Sequence, residues 1–146
     1  VLNGFTDVKG SGVVITLNDA PAREEMDPSQ LIIHDMDIVQ ILNVLRSAGA
    51  QAISINDERI ITTSRHFCVG PTILINQKRY PVPYVIKAIG DPDEMYNAIE
   101  QSEAVIIMRI YNIQVDVRKE SEILIPGYKV YGNIENMISG LEVVEK

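Results

Sequence analysis

The stretch that decides the fold runs Leu45-Arg46-Ser47-Ala48-Gly49-Ala50-Gln51-Ala52-Ile53-Ser54-Ile55-Asn56-Asp57-Glu58-Arg59-Ile60. Its order predicts the end of a helix, a glycine stop, a short buried strand and a tight turn into a second strand. Gly49 can adopt the left-handed conformation that closes a helix because it has no Cβ to clash. Ala52, Ile53 and Ile55 form a short apolar run, and Asn56-Asp57 is typical of a turn. The stretch therefore predicts a helix–stop–strand unit.

A second helix–stop–strand unit lies later in the chain, where residues 108–116 repeat this pattern. Each unit has an apolar residue, an arginine, two further residues, a helix-stopping residue and then a strand pattern. The stop is Gly49 in the first unit and Asn112 in the second, and asparagine is the usual second choice after glycine at this position. Intrinsic propensity at Val105-Ile106-Ile107 favours a strand, but the repeat favours a helix over Glu103–Tyr111.

Apolar spacing and turn residues predict the other elements. A helical pattern covers Ile38–Ala48, with Asp35 as its N-cap. A second helix begins at Asp91-Pro92, because aspartate can cap a helix and proline fits its first position. The predicted strands are Gly12–Leu17, Gln51–Ile55, Glu58–Thr63, Thr72–Ile75, Lys78–Tyr80, Tyr84–Ile89, Ile113–Val117 and Glu122–Ile125.

These elements predict an α+β domain: a mixed, largely antiparallel sheet with helices mainly on one face, built around the two helix–stop–strand units. Gly10-Ser11-Gly12 is interpreted as a turn before the first strand, and Asn18–Gln30 as a long mobile or binding loop. Residues 1–129 are assigned to this single domain. Residues 130–146 are assigned to a tail with one short amphipathic helix, which docks on its own domain or, alternatively, on a partner.

Composition narrows the class of protein. The 146 residues carry a net charge of −7, which disfavours nucleic acid and anionic membrane surfaces as partners. Cys68 is the single cysteine, so no internal disulfide can form. No apolar run approaches the roughly 18–20 residues that span a bilayer. The chain begins at Val1, and we interpret it as a cut or processed fragment, so the missing membrane anchor says nothing about the full-length protein.

The sequence offers one candidate binding set and no catalytic motif. Asn56, Arg59, Asn76 and Tyr84 would form a shared polar groove if the two strand–turn–strand units lie side by side. The alternative is that both asparagines are turn residues and that Arg59 is a solvated strand residue. We expect no cofactor, no bound metal and no catalytic residue.

Two weaker patterns have structural explanations. His34-Asp35-Met36-Asp37 could offer metal ligands, but helix capping accounts for both acids, and a closed metal site needs three or four convergent ligands. His66 and Cys68 lie two residues apart and could share a strand face as a base and a nucleophile. A lone cysteine is more often a small buried apolar residue.

Two long motifs resemble the bacterial DUF881 family, also described as the YlxW-like or "division initiation protein" group. The first is the quoted stretch from Leu45 to Ile60, and the second is Leu74-Ile75-Asn76 followed by Pro83 to Pro92. The resemblance covers about residues 10–129. Two departures are Asn112, where glycine is usual in the family, and the tail after Lys129.

The resemblance implies a domain outside the cytoplasmic membrane, carried by one N-terminal transmembrane helix and a coiled coil, with a role in division or envelope assembly. It implies no enzymatic activity, no cofactor and no catalytic residues. Our leading hypothesis is a non-catalytic interaction module with protein partners of the cell envelope or division machinery, which could also form homo-oligomers. The alternatives are a small-ligand sensor that uses the four polar residues and a Cys/His enzyme at His66 and Cys68.

Overall fold

The computed structural model describes residues 6–21, 33–60, 66–69, 72–75 and 78–127, with backbone alone for those from 66 to 79. The strands are β1 (Val8–Asn18), β2 (Ala52–Ile55), β3 (Glu58–Arg59), β4 (His66–Val69), β5 (Thr72–Ile75), β6 (Lys78–Pro81), β7 (Tyr84–Ile89) and β8 (Gln114–Ile125). The helices are α1 (Asp35–Ser47), α2 (Pro92–Gln101) and α3 (Glu103–Ile110).

The α+β class predicted from the sequence is confirmed. Five strands form the main sheet in the order β3-β2-β7-β1-β8, and three form a second sheet in the order β4-β5-β6. Every pairing described between these strands is antiparallel, so the parallel component implied by a mixed sheet is not seen in them.

The core lies between the helices and one face of the main sheet. Ile55, Ile86, Ile15 and Val117 pair in one row across four strands, and all four belong to this core. The buried faces of the helices supply residues such as Leu42, Met95 and Val105 to the same cluster. Because side chains alternate between the faces of a strand, the intervening residues point to the second face of the sheet.

The second face carries a smaller apolar cluster, formed by β1, β2, β7 and β8. Its buried members are Val14, Ala52, Ile89, Ile123 and Ile125. The helices are thus on one face, as predicted, while the second face carries this cluster of strand residues.

Both helix–stop–strand units close in the same way. Gly49 has a φ of 90° and Asn112 a φ of 66°. The Ala50 amide donates to Leu45 O at 3.0 Å, and the Ile113 amide donates to Met108 O at the same distance. These are the bonds of the Schellman motif, which needs a left-handed residue at the stop. The helix predicted over Glu103–Tyr111 is confirmed, against the strand propensity of its isoleucines.

The turn predicted at Gly10-Ser11-Gly12 is wrong, because these residues lie inside β1. β1 pairs with β8 on both sides of the triplet, and the register shifts between Gly10 and Gly12. A Cβ on Gly12 would lie 1.8 Å from the Ala88 carbonyl oxygen. Glycine is therefore present for close approach of two backbones at a bulge, and not for a turn.

Two other sequence predictions need correction. Ile113–Val117 and Glu122–Ile125 are parts of one strand, β8, because β1 is long enough to pair along its whole length. The N-cap of α1 is His34, whose amide donates to Asp37 Oδ2 at 2.9 Å. Asp91 caps α2 as predicted, accepting from the Glu94 amide at 3.1 Å.

Several predictions lie outside the described residues. They are the tail 130–146, most of the Asn18–Gln30 loop, the end of the strand Glu58–Thr63 and the turn at Asn76.

Candidate functional site

Asn56 is committed to a turn. It has a φ of 49°, and the following residue, Asp57, has a φ of 67°, a left-handed pair typical of a two-residue hairpin. Its Oδ1 accepts from the Val85 amide at 2.7 Å, and its own amide donates to Val85 O at 2.8 Å. Asn56 therefore fastens the β2–β3 turn to β7.

Arg59 is buried on the second face of the sheet, where its side chain holds two other segments of the chain by hydrogen bonds. It is 4% exposed, and its Nη1 donates to Thr6 O at 2.9 Å and to Pro126 O at 3.2 Å. Burial lowers the pKa of its guanidinium, an effect that the nearby Asp7 opposes. Asp7 also accepts from the Gly127 amide at 2.8 Å. The ends of β1 and β8 therefore cross the second face of the sheet to reach β3.

Tyr84 lies on the opposite, helix-bearing face. It is 1% exposed, belongs to the main core and donates from its hydroxyl to Tyr80 O at 3.0 Å. Tyr80 in turn donates to Glu58 Oε2 at 2.5 Å, and Glu58 is itself buried. These contacts brace β7 and β6 against β3.

The structure does not bring the described members of the candidate set together. Arg59 and Tyr84 are buried on opposite faces, and the side chain of Asn56 is bonded to β7. Asn76 lies outside the described residues. A ligand contact at any one of these four residues stays a prediction.

The described residues do not support the metal site or the cysteine nucleophile that the sequence patterns could offer. Within the described part of the chain, no group of three or more His, Cys, Asp or Glu residues could hold a metal ion. β4 places His66 and Cys68 two residues apart in an extended strand that the predicted elements did not include, and only their backbone is described.

One cleft lies beside the second face. Its volume is about 440 Å³, and its lining includes Lys87, Asp57, Glu120 and Glu122. Lys87 already contacts Asp57, with Nζ at 3.4 Å from Oδ1. Its cation is therefore partly neutralised by the chain itself.

The most unusual surface is the outer side of α3. Ile106, Ile107, Ile110 and Tyr111 are 48%, 47%, 68% and 37% exposed. Residues three and four apart are neighbours on a helix, so these four form one apolar stripe, which we call the α3 stripe. Val105 and Met108 occupy the buried side. An apolar surface of this kind, when contiguous, marks an interaction site more often than chance.

A signal for this surface is present in the sequence, although the residue patterns above did not single it out. A helix that is apolar on all sides is normally buried all round. The segment Glu103–Ile110 is apolar on both sides but is only eight residues long and has one buried side. The segment holds more isoleucines than its core-facing side needs, and Ile106, Ile107 and Ile110 lie on its exposed side.

A groove adjoins the α3 stripe. Its volume is about 550 Å³, and it lies between the last two turns of α1, one side of α2 and the start of α3. Its lining residues are Asn43, Val44, Ser47, Ala48, Glu94, Ala98, Ser102 and Glu103. Glu103 is one helical turn before Ile106 and Ile107, so the groove opens onto the stripe.

An ion pair holds α3 in place. Arg109 donates to Glu100 through two bonds of 2.7 and 2.9 Å, and to Val115 O at 2.9 Å. The pair joins α2, α3 and β8, and it turns the cation away from the stripe. Its hydrogen bonds hold the pKa of Glu100 below the ordinary range and raise that of Arg109.

We expect Glu100→Gln to lower the melting temperature by about 3 °C at pH 7, the equivalent of about 1 kcal/mol for a partly buried bidentate pair. The folded-state pKa of Glu100 is lowered, so its contribution is present above the unfolded-state pKa, about 4.3. It is lost as pH falls through the folded-state pKa. The difference in melting temperature between wild type and Glu100→Gln should therefore become smaller as the pH is lowered from 7 to 3.

Glu122→Gln is the control, because the side chains of Glu122 and its partner Lys9 are 69% and 62% exposed. If the difference for Glu100→Gln stayed constant with pH, the assigned ion pair with Arg109 would be contradicted.

Bacterial proteins of known sequence are similar to this chain. Residues 1–137 match the family model described as "Bacterial protein of unknown function (DUF881)". The chain is 31% identical over 122 residues to UPF0749 protein YlxW of Bacillus subtilis, covering 82% of the chain and 53% of that protein. It is 29% identical over 131 residues to UPF0749 protein Rv1823 of Mycobacterium tuberculosis, covering 82% and 43%.

A solved structure shares the fold. It is the crystal structure of an uncharacterized conserved protein from Mycobacterium tuberculosis, and it superposes with a TM-score of 0.75 at 25% identity. The match covers 88% of this chain and 87% of that one. The chain spans about half the length of the curated relatives that it matches.

Proposed function

This chain belongs to the DUF881 family of bacterial proteins, and we propose that it is a non-catalytic interaction module that binds a protein partner through the α3 stripe. The observation that carries the proposal is the exposure of three isoleucines and Tyr111 on one side of a short helix. Removing such side chains from water is favourable by roughly 25 cal/mol per Å² of apolar area, so the stripe is stabilised when a partner covers it.

The position of the stripe supports an interface. The buried side of α3 is anchored in the core by Val105 and Met108, and the Arg109–Glu100 pair braces its end. A rigid helix that presents apolar side chains loses little conformational entropy on binding. This preorganisation suits a recognition surface.

We also propose the cellular setting that the family resemblance implies. The module is the extracytoplasmic end of a membrane-anchored, coiled-coil protein that acts in cell division or envelope assembly. The curated relatives are about twice as long as the matched region, which leaves room for an anchor and a coiled coil in proteins of that length. No helix among the described residues is both long and apolar enough to cross a membrane.

The partner interface is tested by site-specific photo-crosslinking in cells that express the full-length protein. A photo-reactive residue at position 110 should give a discrete adduct with another protein. The adduct should disappear when Ile107→Ser is added, while the melting temperature of the isolated domain stays within about 2 °C, because Ile107 is 47% exposed and surface substitutions are nearly neutral.

The matched control places the same residue at position 124, since Leu124 is 58% exposed and lies outside the stripe. The same adduct from positions 110 and 124, or no adduct from position 110, would argue against the interface.

Turnover of a substrate, or a metabolite bound at stoichiometric occupancy, would overturn the non-catalytic assignment. A reporter enzyme that is active only outside the cytoplasm, fused after the domain, tests the location; an inactive but stable fusion refutes it.

A further inference from the structure

We propose that the α3 stripe and its adjoining groove together bind an amphipathic helix whose apolar side is flanked by lysine or arginine residues. This inference rests on the proposed function and names the chemical class of the partner. It combines two features of the described surface, the shape of the groove and the distribution of charge around it.

The groove is shaped to receive side chains from a helix. Val44, Ala48 and Ala98 contribute apolar side chains to its lining. Ser47 and Ser102 also line it and are small. Small residues at a helix surface let another helix approach closely. The groove can therefore accept the large apolar side chains of a partner.

The α3 stripe extends the groove along one line. From Glu103 to Tyr111 the helix rises about 12 Å, at 1.5 Å per residue. A partner helix meets such a surface with apolar residues spaced i, i+3 or i+4, and i+7. Two to three anchors of this spacing would span the groove and the isoleucines beyond it.

Charge determines which helix fits. Glu94 and Glu103 border the groove, and within the described residues neither carboxylate takes part in an ion pair. Other charged groups nearby are already paired, since Asp93 contacts Lys119 at 3.0 Å and Arg109 contacts Glu100. The border of the site is therefore negative, and a partner with cations beside its apolar residues complements it.

The same charges disfavour a second copy of the chain as the occupant. Two copies joined by a two-fold axis would bring the same acidic border together from both sides. Each copy also carries a net charge of −7. Arg46, the cation near the end of α1, is not among the residues that line the groove.

The test uses two synthetic helical peptides of about 18 residues, long enough to be partly helical. Both carry leucine at helical spacing; one has lysine and the other glutamate at the flanking positions. Binding to the whole chain is measured by fluorescence anisotropy in a buffer of physiological ionic strength. We expect the lysine peptide to bind at least about tenfold more tightly than the glutamate peptide, a difference of about 1.4 kcal/mol.

Variants locate the binding surface. Ile107→Ser with Ile110→Ser should weaken binding of the lysine peptide roughly tenfold or more, as expected for central anchors. Glu94→Lys with Glu103→Lys should reverse the preference, so that the glutamate peptide binds better. The matched controls are Leu124→Ser and Glu122→Lys, which alter an exposed leucine and an exposed glutamate elsewhere and should leave both affinities within about twofold.

Three results would overturn the inference: equal binding of both peptides, loss of binding in the control variants, or a dimer in sedimentation that Ile110→Ser abolishes. Its failure is distinguishable from failure of the proposed function. If position 110 forms an adduct in cells while the lysine peptide does not bind, the α3 stripe is an interface for a different class of partner. If neither occurs, the interaction module itself is refuted.

Discussion

Gly12→Ala is expected to destabilise the domain by about 3–5 kcal/mol, a large share of the roughly 5–15 kcal/mol that separates folded from unfolded domains. The new Cβ would lie 1.8 Å from the Ala88 carbonyl oxygen and 2.9 Å from its carbon. These are backbone atoms of β7, so they cannot move without separating β7 from β1, which pair from Gly12 to Leu17. Urea unfolding followed by circular dichroism measures the loss.

Gly10→Ala is the matched control. Its Cβ would meet Ile89 Cγ2 at 3.0 Å, which is a side-chain methyl and not a backbone atom, so a shift of a few tenths of an ångström relieves the contact without separating the strands. We expect a cost of about 1–2 kcal/mol. If Gly12→Ala were no more destabilising than Gly10→Ala, the close approach of β1 to β7 would not exist as described.

Arg59→Ala is expected to cost about 2–4 kcal/mol, the second largest effect. The guanidinium donates to Thr6 O and Pro126 O, and hydrogen bonds from a charged donor contribute about 1.5–3 kcal/mol. In the alanine variant, the carbonyl oxygens of Thr6 and Pro126 lose this donor where the chain ends cross the second face of the sheet. Hydrogen exchange should therefore accelerate at the start of β1 and the end of β8, in addition to the loss seen in urea unfolding.

Arg118→Ala is its control, because Arg118 has a side chain that is 60% exposed and pairs with exposed acids of its own strand. We expect a change within about 0.5 kcal/mol. An Arg59→Ala variant as stable as Arg118→Ala, with unchanged exchange at the chain ends, would show that Arg59 is the solvated strand residue of our alternative interpretation.

Local patterns determined much of the fold. The two Schellman closures were visible in the sequence because each depends on residues at most five positions apart, from Leu45 to Ala50 and from Met108 to Ile113. The start of α2 was visible for the same reason, since Asp91 bonds to Glu94. These helix-capping and helix-stopping contacts form between residues close in sequence, so they do not depend on what packs around the helix.

Features that depend on contacts between distant parts of the chain were not predicted correctly from local patterns. Gly10-Ser11-Gly12 has the composition of a turn, and the carbonyl that makes glycine necessary at Gly12 belongs to Ala88, far along the chain. The candidate set that included Arg59 and Tyr84 failed to converge because neighbouring strands set which face each residue takes. Arg59 is bonded to acceptors 53 and 67 residues away.

The α3 stripe shows the division most clearly. The order of residues alone determined that α3 is a helix with apolar side chains on two sides, since capping by Ser102 and the stop at Asn112 act within a few residues and outweigh the strand propensity of the isoleucines. The tertiary structure alone decided that Val105 and Met108 enter the core while Ile106, Ile107 and Ile110 face water. The physical reason is that burial depends on which surfaces meet, and the packing of α3 against α1, α2 and β8 covers one side of the helix and leaves the other open.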